Sequence, residues 1–329
     1  MSRIVRFHEQ GGPEVLKIEE HELGAPGAGE MRIRVQAIGL NRSEAMFRRG
    51  GYLPAQLPSR IGYEAAGIVQ ALGEGVTGFS VGQAVSVLPM FRLGEYGVYG
   101  EEAIVPARAV LPAPPGLTPV EAASVWMQFF TAYAIIEVGK LTLGDFVLLP
   151  AASSSVGLAA IQLANWAGAT PIALTRRSGK VAAITALGAP HVLATEECDL
   201  VAEVMRLTGG KGARVVFDPV GGATVETLAK ATAEGGIILI YGGLSGAPTV
   251  HPHWSSAFRE ISVRSWVASS LWNRPDRFAH VRGVILQGLA LGRLKPIIAR
   301  TFPFEQIVEA HRYLESNQQV GKIVVTVGA

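Results

Sequence analysis

A turn rich in small and hydroxyl residues follows a short apolar run near the middle of the chain. Residues 146–149 have the length and apolarity of a buried parallel strand, and Ala-Ala-Ser-Ser-Ser-Val-Gly at 151–157 follows them. Small residues at such a turn let backbone N–H groups and a helix N-terminus approach a pyrophosphate, which predicts a dinucleotide site. Only Gly157 remains of the usual glycine pattern, so an ordinary serine-capped helix in a flavodoxin-like domain is the alternative. The predicted contact residues are Ser154, Ser155 and Val156.

A basic segment follows the second strand of the same array. It offers cations and hydroxyls without an acid, and its polar residues are Thr175, Arg176, Arg177, Ser178 and Lys180. An NAD site presents a carboxylate to the ribose 2′-hydroxyl at about this position, whereas arginine and lysine suit the 2′-phosphate of NADPH. The segment therefore predicts NADPH as the cofactor. A solvated helix start with surface arginines is the alternative.

Two kinds of element must position these residues. From residue 145 onward, apolar runs alternate with helical segments, and this alternation predicts a doubly wound parallel sheet with right-handed crossovers. Residues 1 to about 120 instead show short runs of period two, such as 31–37, separated by Gly and Pro turns. The first part is therefore predicted to be a mostly antiparallel, barrel-like β domain, and the chain as a whole to be α/β.

Composition excludes several function classes. The chain has 329 residues, and 49% of them are hydrophobic. Its formal charge of +2 is close to neutral and does not indicate a basic surface for binding nucleic acid. Its single cysteine, Cys198, excludes an internal disulfide framework and a cysteine-rich zinc site. The first residues lack a signal-like apolar core, and no uninterrupted apolar run reaches membrane-spanning length. We therefore expect a soluble, cytoplasmic protein without a membrane or nucleic-acid partner.

Several segments agree in order and spacing with one family. They are 39–44, 50–52, 61–69, 73–85, 217–222 and 321–325. In these segments the chain resembles the zinc-independent medium-chain dehydrogenase/reductases, in particular their quinone oxidoreductase (zeta-crystallin-like) branch. The resemblance implies a discontinuous GroES-like β-barrel catalytic domain (1–122 and 267–329) around a Rossmann NADPH-binding domain (123–266). It also implies a homodimer and a cleft where nicotinamide meets substrate.

The resemblance also implies roles for individual residues. Asn41 and Tyr52 would lie beside nicotinamide and substrate, and Thr131 near the nicotinamide ribose. Lys180 matches the family's phosphate-binding lysine. The remaining residues that the resemblance places at the cofactor are Gly242, Gly243, Leu244 and Lys322.

The resemblance is to members without zinc. Tyr63 precedes Glu64 where zinc-bearing relatives carry a His-Glu pair, and Cys198 lies far away in the Rossmann part. His251 and His253 offer a two-residue metal alternative, against which a polar surface loop is favoured. We therefore predict a site without metal.

Without a Lewis acid, reduction of a quinone or an α,β-unsaturated carbonyl is the easier chemistry. Hydride from NADPH leaves negative charge on the substrate oxygen, and a hydrogen-bond donor there would stabilise it. Tyr52 and Asn41 are the predicted catalytic residues. The alternatives are a 2-enoyl thioester reductase, with Arg42, Arg48 and Arg49 available for phosphate, and a non-catalytic NADPH-binding redox sensor or structural protein.

Overall fold

The chain folds into two compact units. The computed structural model describes residues 1–328. The end unit comprises residues 1–127 and 296–328, and the central unit comprises residues 128–295. Within the described residues, no helix combines the length and the apolar character needed to cross a membrane.

The two units contain strands and helices of moderate length. The strands are, in chain order, β1 (Ser2–Phe7), β2 (Leu16–His21), β3 (Glu30–Gly39), β4 (Ser59–Arg60), β5 (Ala65–Leu72), β6 (Ala84–Val87), β7 (Glu102–Pro106), β8 (Val110–Pro112), β9 (Phe146–Leu149), β10 (Thr170–Thr175), β11 (His191–Ala194), β12 (Ala213–Asp218), β13 (Thr232–Ile240), β14 (Ser262–Ser265), β15 (Ile298–Pro303) and β16 (Lys322–Thr326). The helices are α1 (Arg42–Arg48), α2 (Pro119–Ala122), α3 (Trp126–Ala132), α4 (Ala134–Glu137), α5 (Ser155–Trp166), α6 (Val181–Ala186), α7 (Leu200–Leu207), α8 (Thr224–Lys230), α9 (His253–Ala257), α10 (Ser269–Trp272), α11 (Pro275–Ala290) and α12 (Ile307–Ser316).

The central unit is built on a six-stranded parallel sheet. Its strand order is β11-β10-β9-β12-β13-β14, and every neighbouring pair is parallel. This is the doubly wound order of a Rossmann fold, with β9 as the first strand. Val147, Leu148 and Leu149 of β9 are all buried, which explains why the run is apolar without alternation. The predicted parallel sheet is confirmed.

The end unit is mostly antiparallel. One sheet runs β15-β16-β3-β5-β6-β8, with β7 also paired to β3, and a second sheet runs β2-β1-β4. In β3, Met31, Ile33 and Val35 are buried while Arg34 is exposed, as the period-two pattern predicts. Strand β16 from the chain end pairs antiparallel with β3. The GroES-like domain is therefore assembled from both ends of the chain.

The extent of the central unit differs from the predicted domain boundaries. Residues 267–295 cluster with the central unit, whereas the resemblance places them in the catalytic domain. Helix α11 explains the difference, because its side chains pack within the central unit. Phe278 stacks on Phe130 with ring centroids 5.4 Å apart, and Arg277 forms an ion pair with Glu137.

Candidate functional site

The turn after β9 leads directly into a capped helix N-terminus. Helix α5 begins at Ser155, and the Ser154 hydroxyl caps it by accepting from Gly157 N (3.0 Å). Ala151 adopts a left-handed conformation (φ +50°), which turns the chain sharply out of the strand. A Cβ on Gly157 would lie 2.7 Å from the backbone of Ala152, so this position requires glycine. The first N–H groups of α5 have no intrahelical acceptor and are suited to bind a phosphate.

A lysine lies against this turn. Lys180 Nζ donates to Ser153 Oγ (3.0 Å), and burial together with the nearby Arg176 lowers the pKa of the lysine. The contact joins the basic segment after β10 to the turn after β9. Sequence reasoning named Ser154 and Ser155 but missed Ser153. The unusual run of three serines was the only signal that could have identified it.

Two acids face the basic segment, and the sequence interpretation did not include them. Arg177 Nε donates to Glu196 Oε2 (2.8 Å), and Ser178 N donates to Glu197 Oε1 (3.0 Å). The parallel register of β10 and β11 brings these acids alongside, since Thr175 lies opposite the last residue of β11. Arg177 is therefore paired with an acid that follows the neighbouring strand.

The carboxyl ends of β12 and β13 lie at the same edge of the parallel sheet as the carboxyl ends of β9 and β10. Asp218 accepts from the backbone N–H groups of Val220 and Gly221, and burial raises the pKa of its carboxyl. A Cβ on Gly242 would lie 2.7 Å from Pro219 O, so the loop that begins there passes close to this turn. The same loop carries Gly243 and the partly exposed Leu244, which donates its N–H to Pro219 O. Thr131 is buried on α3.

The end unit contains a buried polar cluster around Asn41, which we call the Asn41 cluster (Asn41, Glu64 and Lys322). Lys322 Nζ donates to Asn41 Oδ1 (2.7 Å) and to Glu64 Oε2 (2.6 Å). Asn41 Nδ2 donates to Gly39 O and to Glu64 Oε2, both at 3.1 Å. Glu64 and Lys322 are 0% and 1% exposed, so this is a buried ion pair. The structure thus brings two of the predicted site residues into direct contact.

Tyr52 is placed differently from Asn41. Its side chain is 50% exposed. Tyr63 is buried, its hydroxyl forms a hydrogen bond with Ser43, and burial raises the pKa of its phenol. Within residues 1–328, no group of three or more His, Cys, Asp or Glu side chains is arranged to hold a metal ion.

A second buried chain of hydrogen bonds starts at Glu44, next to Asn41. Glu44 Oε2 accepts from Asn41 N and from the Tyr99 hydroxyl, both at 2.7 Å. Arg48 can only donate, so His311 Nδ1 accepts from it (2.8 Å) and His311 Nε2 carries the hydrogen that faces Tyr99. Burial raises the pKa of Glu44 to about 7, and burial with Arg48 lowers the pKa of His311 to about 3.

These two groups are expected to have opposite effects on the free energy of unfolding. A raised pKa at Glu44 stabilises the fold at low pH, and this contribution is lost as pH rises towards 7. A lowered pKa at His311 stabilises the fold above its unfolded pKa, and this contribution is lost as pH falls. The slopes of the free energy of unfolding against pH that Glu44 and His311 contribute therefore cancel between about pH 5 and 6.5.

We predict that His311→Gln removes the opposing contribution of the histidine, so that the effect of Glu44 on the free energy of unfolding becomes measurable. Its free energy of unfolding should fall by about 1.4 kcal/mol per pH unit as pH rises from about 5 to 6.5. Denaturant unfolding at several pH values measures this slope. His253→Gln, at an exposed histidine, is the control and should keep the parent profile. Equal slopes in the parent and the His311 variant would contradict the prediction.

Comparison with known proteins agrees with this architecture. Residues 27–115 match the alcohol dehydrogenase GroES-like domain, and residues 155–282 match the zinc-binding dehydrogenase family. Quinone oxidoreductase 1 of Escherichia coli (strain K12) is 30% identical over 98% of both chains. The 2-haloacrylate reductase of a Burkholderia species is 29% identical over 97% of both chains.

Solved structures show the same relationship. E. coli quinone oxidoreductase complexed with NADPH superposes with a TM-score of 0.90 at 27% identity, covering 98% of this chain and 99% of that one. A protein described as an NAD-dependent alcohol dehydrogenase gives 0.88 at 32% identity, covering 99% and 100%. The fold, the matched domains and the full-length relatives agree, and the chain belongs to the medium-chain dehydrogenase/reductase family of oxidoreductases.

Proposed function

We propose that the protein reduces quinones or α,β-unsaturated carbonyl compounds with NADPH, without a metal. The observation that carries the proposal is the contact of Lys180 with the phosphate turn, next to Arg176, in a chain of this family. Two relatives support the substrate class, because one is named a quinone oxidoreductase and another a reductase of a 2-haloacrylate. A quinone and a 2-haloacrylate are both electron-poor systems, and each can accept a hydride.

The residues at the strand edge fit a nicotinamide dinucleotide. A capped helix N-terminus and a close glycine suit the pyrophosphate, and a partly buried lysine with a neighbouring arginine suits the 2′-phosphate. The bound cofactor would supply the hydride. The residues proposed to hold it are Asn41, Thr131, Ser154, Ser155, Val156, Thr175, Arg176, Lys180, Gly242, Gly243 and Leu244.

Tyr52 is the proposed hydrogen-bond donor to the substrate oxygen. A donor aimed at the oxygen where charge develops stabilises the transition state more than the ground state. The two N–H groups of the Asn41 side chain already have acceptors, whereas the phenol of Tyr52 is half exposed. The proposal therefore assigns the donor role to Tyr52.

Turnover of a substrate panel tests the proposal. NADPH oxidation should accompany reduction of simple quinones and enones by the purified protein. Binding of NADPH without turnover of any panel member would instead support a non-catalytic NADPH-binding protein. Turnover only with 2-enoyl thioesters would support the thioester reductase.

The arginines that could favour a thioester reductase are engaged elsewhere. Arg42 donates to Leu314 O (2.6 Å), and the buried Arg48 and exposed Arg49 both form ion pairs with Glu315. A coenzyme A phosphate at this place would have to displace those contacts. The structure therefore gives no specific support to the thioester alternative.

We predict that activity is independent of metal. Tyr63 occupies the position at which zinc-bearing relatives have a zinc ligand, and its hydroxyl forms a hydrogen bond with Ser43. Phenol and hydroxyl groups are poor zinc ligands. Prolonged treatment with a chelator should leave kcat unchanged, and elemental analysis should find far less than one metal ion per chain. Stoichiometric zinc together with activity lost on chelation and restored by zinc would overturn the prediction.

We further predict a homodimer formed through the edge of the parallel sheet. Strand β14 is the edge strand next to β13, and the nearby Val267 is 54% exposed. Light scattering should give about twice the chain mass of 34.8 kDa over a range of concentrations. A mass near that of one chain throughout would contradict the prediction. The cytoplasmic location expected from the sequence stays a prediction.

A further inference from the structure

The basic segment after β10 has no acid of its own, but the fold brings acids to it from the end of β11. The two strands are parallel neighbours, and Thr175 lies opposite Ala194, the last residue of β11. Beyond the strands, Thr195 N donates to Thr175 O (2.8 Å). Glu196 N then donates to Arg176 O (2.9 Å). The residues that follow β11 therefore run alongside the basic segment.

Glu197 is the acid that engages the uncharged donors of this segment. Its Oε1 accepts from Ser178 N (3.0 Å) and from the Ser178 hydroxyl (3.3 Å). Backbone N–H and hydroxyl groups of this kind are also the donors that a loop offers to a phosphate oxygen. A carboxylate oxygen and a phosphate oxygen accept the same hydrogen bonds, so Glu197 occupies donors that a bound phosphate would use.

The charge of Glu197 is not balanced by an ion pair. The preceding acid, Glu196, pairs with Arg177 at 2.8 Å, and this hydrogen bond lowers the pKa of the Glu196 carboxyl. The two donors to Glu197 are uncharged, and no cation within residues 1–328 forms an ion pair with it. Glu197 is also exposed, so its negative charge can act on a ligand that binds at the basic segment.

An acid at this place has opposite effects on the two nicotinamide cofactors. In dinucleotide-binding folds, a carboxylate after the second strand accepts from the ribose 2′-hydroxyl of NAD, whereas a nearby arginine accommodates the 2′-phosphate of NADP. This segment combines both kinds of group, because Arg176 and Lys180 would attract a 2′-phosphate and Glu197 would repel it. The preference for one cofactor is the difference between these two effects.

We propose that Glu197 is a specificity-determining residue that weakens the preference of the protein for NADPH over NADH. This inference rests on the proposed function, since it concerns the 2′-phosphate of the same cofactor. The carboxylate competes with that phosphate for the donors of Ser178 and repels its charge. NADH has a hydroxyl in place of the phosphate and meets no such repulsion. Glu197 therefore leaves NADPH preferred and allows NADH to bind as a second cofactor.

Glu197→Gln tests the proposal, because it removes the charge and keeps an oxygen that can accept from Ser178. The Kd for NADPH should fall about 3- to 10-fold, as for one exposed charge removed from beside a phosphate, and the Kd for NADH should stay within about 2-fold. Cofactor fluorescence measures both constants. Displacement of NADPH by 2′,5′-ADP, which carries the phosphate without nicotinamide, should show the same gain. The gain should nearly vanish at about 1 M salt, a response that a purely structural role would not produce.

Glu234→Gln is the matched control for the loss of one negative charge. Glu234 is also an exposed acid of the central unit, but it lies near the start of β13 and therefore at the opposite edge of the parallel sheet. This variant should bind both cofactors like the parent.

Three results would overturn the proposal. They are an NADPH Kd that Glu197→Gln leaves unchanged or raises, an equal gain for NADPH and NADH, and an equal gain in the Glu234 variant. Each of them leaves the proposed function standing, because the parent still binds NADPH. A parent protein that binds no NADPH would overturn the proposed function and this inference together. All readouts are binding constants, so they are interpretable even if the quinone and enone panel fails.

Discussion

Replacing Arg176 and Lys180 together by alanine is expected to weaken NADPH binding by roughly 10- to 150-fold and to leave NADH binding nearly unchanged. Charge-assisted hydrogen bonds to a phosphate contribute about 1.5–3 kcal/mol in total at a site with one exposed and one part-buried cation. NADH lacks the 2′-phosphate and so gains nothing from these residues. Dissociation constants from the fluorescence of the two reduced cofactors measure both effects.

Arg177→Ala provides the matched control for this prediction. Arg177 is also an exposed arginine of the same segment, but Glu196 pairs with it. Exposed ion pairs contribute little, so its removal should change the NADPH dissociation constant by less than about 3-fold. An equal affinity for NADPH and NADH in the parent would refute the cofactor assignment.

Tyr52→Phe is expected to lower the rate of hydride transfer by about 10²-fold, the usual effect of removing one oxyanion donor. A half-exposed phenol allows water to replace part of the interaction, so the effect can be smaller with small, open substrates. NADPH affinity should not change, since the donor acts on the charge that develops in the transition state. Stopped-flow reduction of a quinone and an enone at saturating NADPH measures the step directly.

Tyr96→Phe is a suitable control for the loss of a phenol in the same unit. The Tyr96 hydroxyl donates to Glu30 (2.8 Å), at the start of β3 and away from the Asn41 cluster. It should transfer hydride at the parent rate. If Tyr52→Phe also does so with every accepted substrate, Tyr52 only lines the site, and the proton comes from water or from the cofactor ribose. The cofactor assignment would be unaffected by that result.

Local patterns were sufficient for the fold and for the phosphate turn. An uninterrupted apolar run at 146–149 needs burial on both sides, which identifies a parallel strand within four residues. The alternation at 31–37 needs one buried face, which identifies a half-buried antiparallel strand. The turn at 151–157 depends on residue size and on helix capping, and both are properties of neighbouring residues. The sequence by itself therefore determined the fold class, and it predicted the turn at which a dinucleotide would bind.

The partners of the charged residues were decided only by the tertiary structure. Arg177 meets Glu196 because β10 and β11 are parallel and end at the same edge. Lys322 meets Asn41 across 281 positions of sequence because β16 pairs with β3. A sequence shows which donors and acceptors a chain has. Strand pairing and burial determine which of them meet, and so which remain available to a ligand.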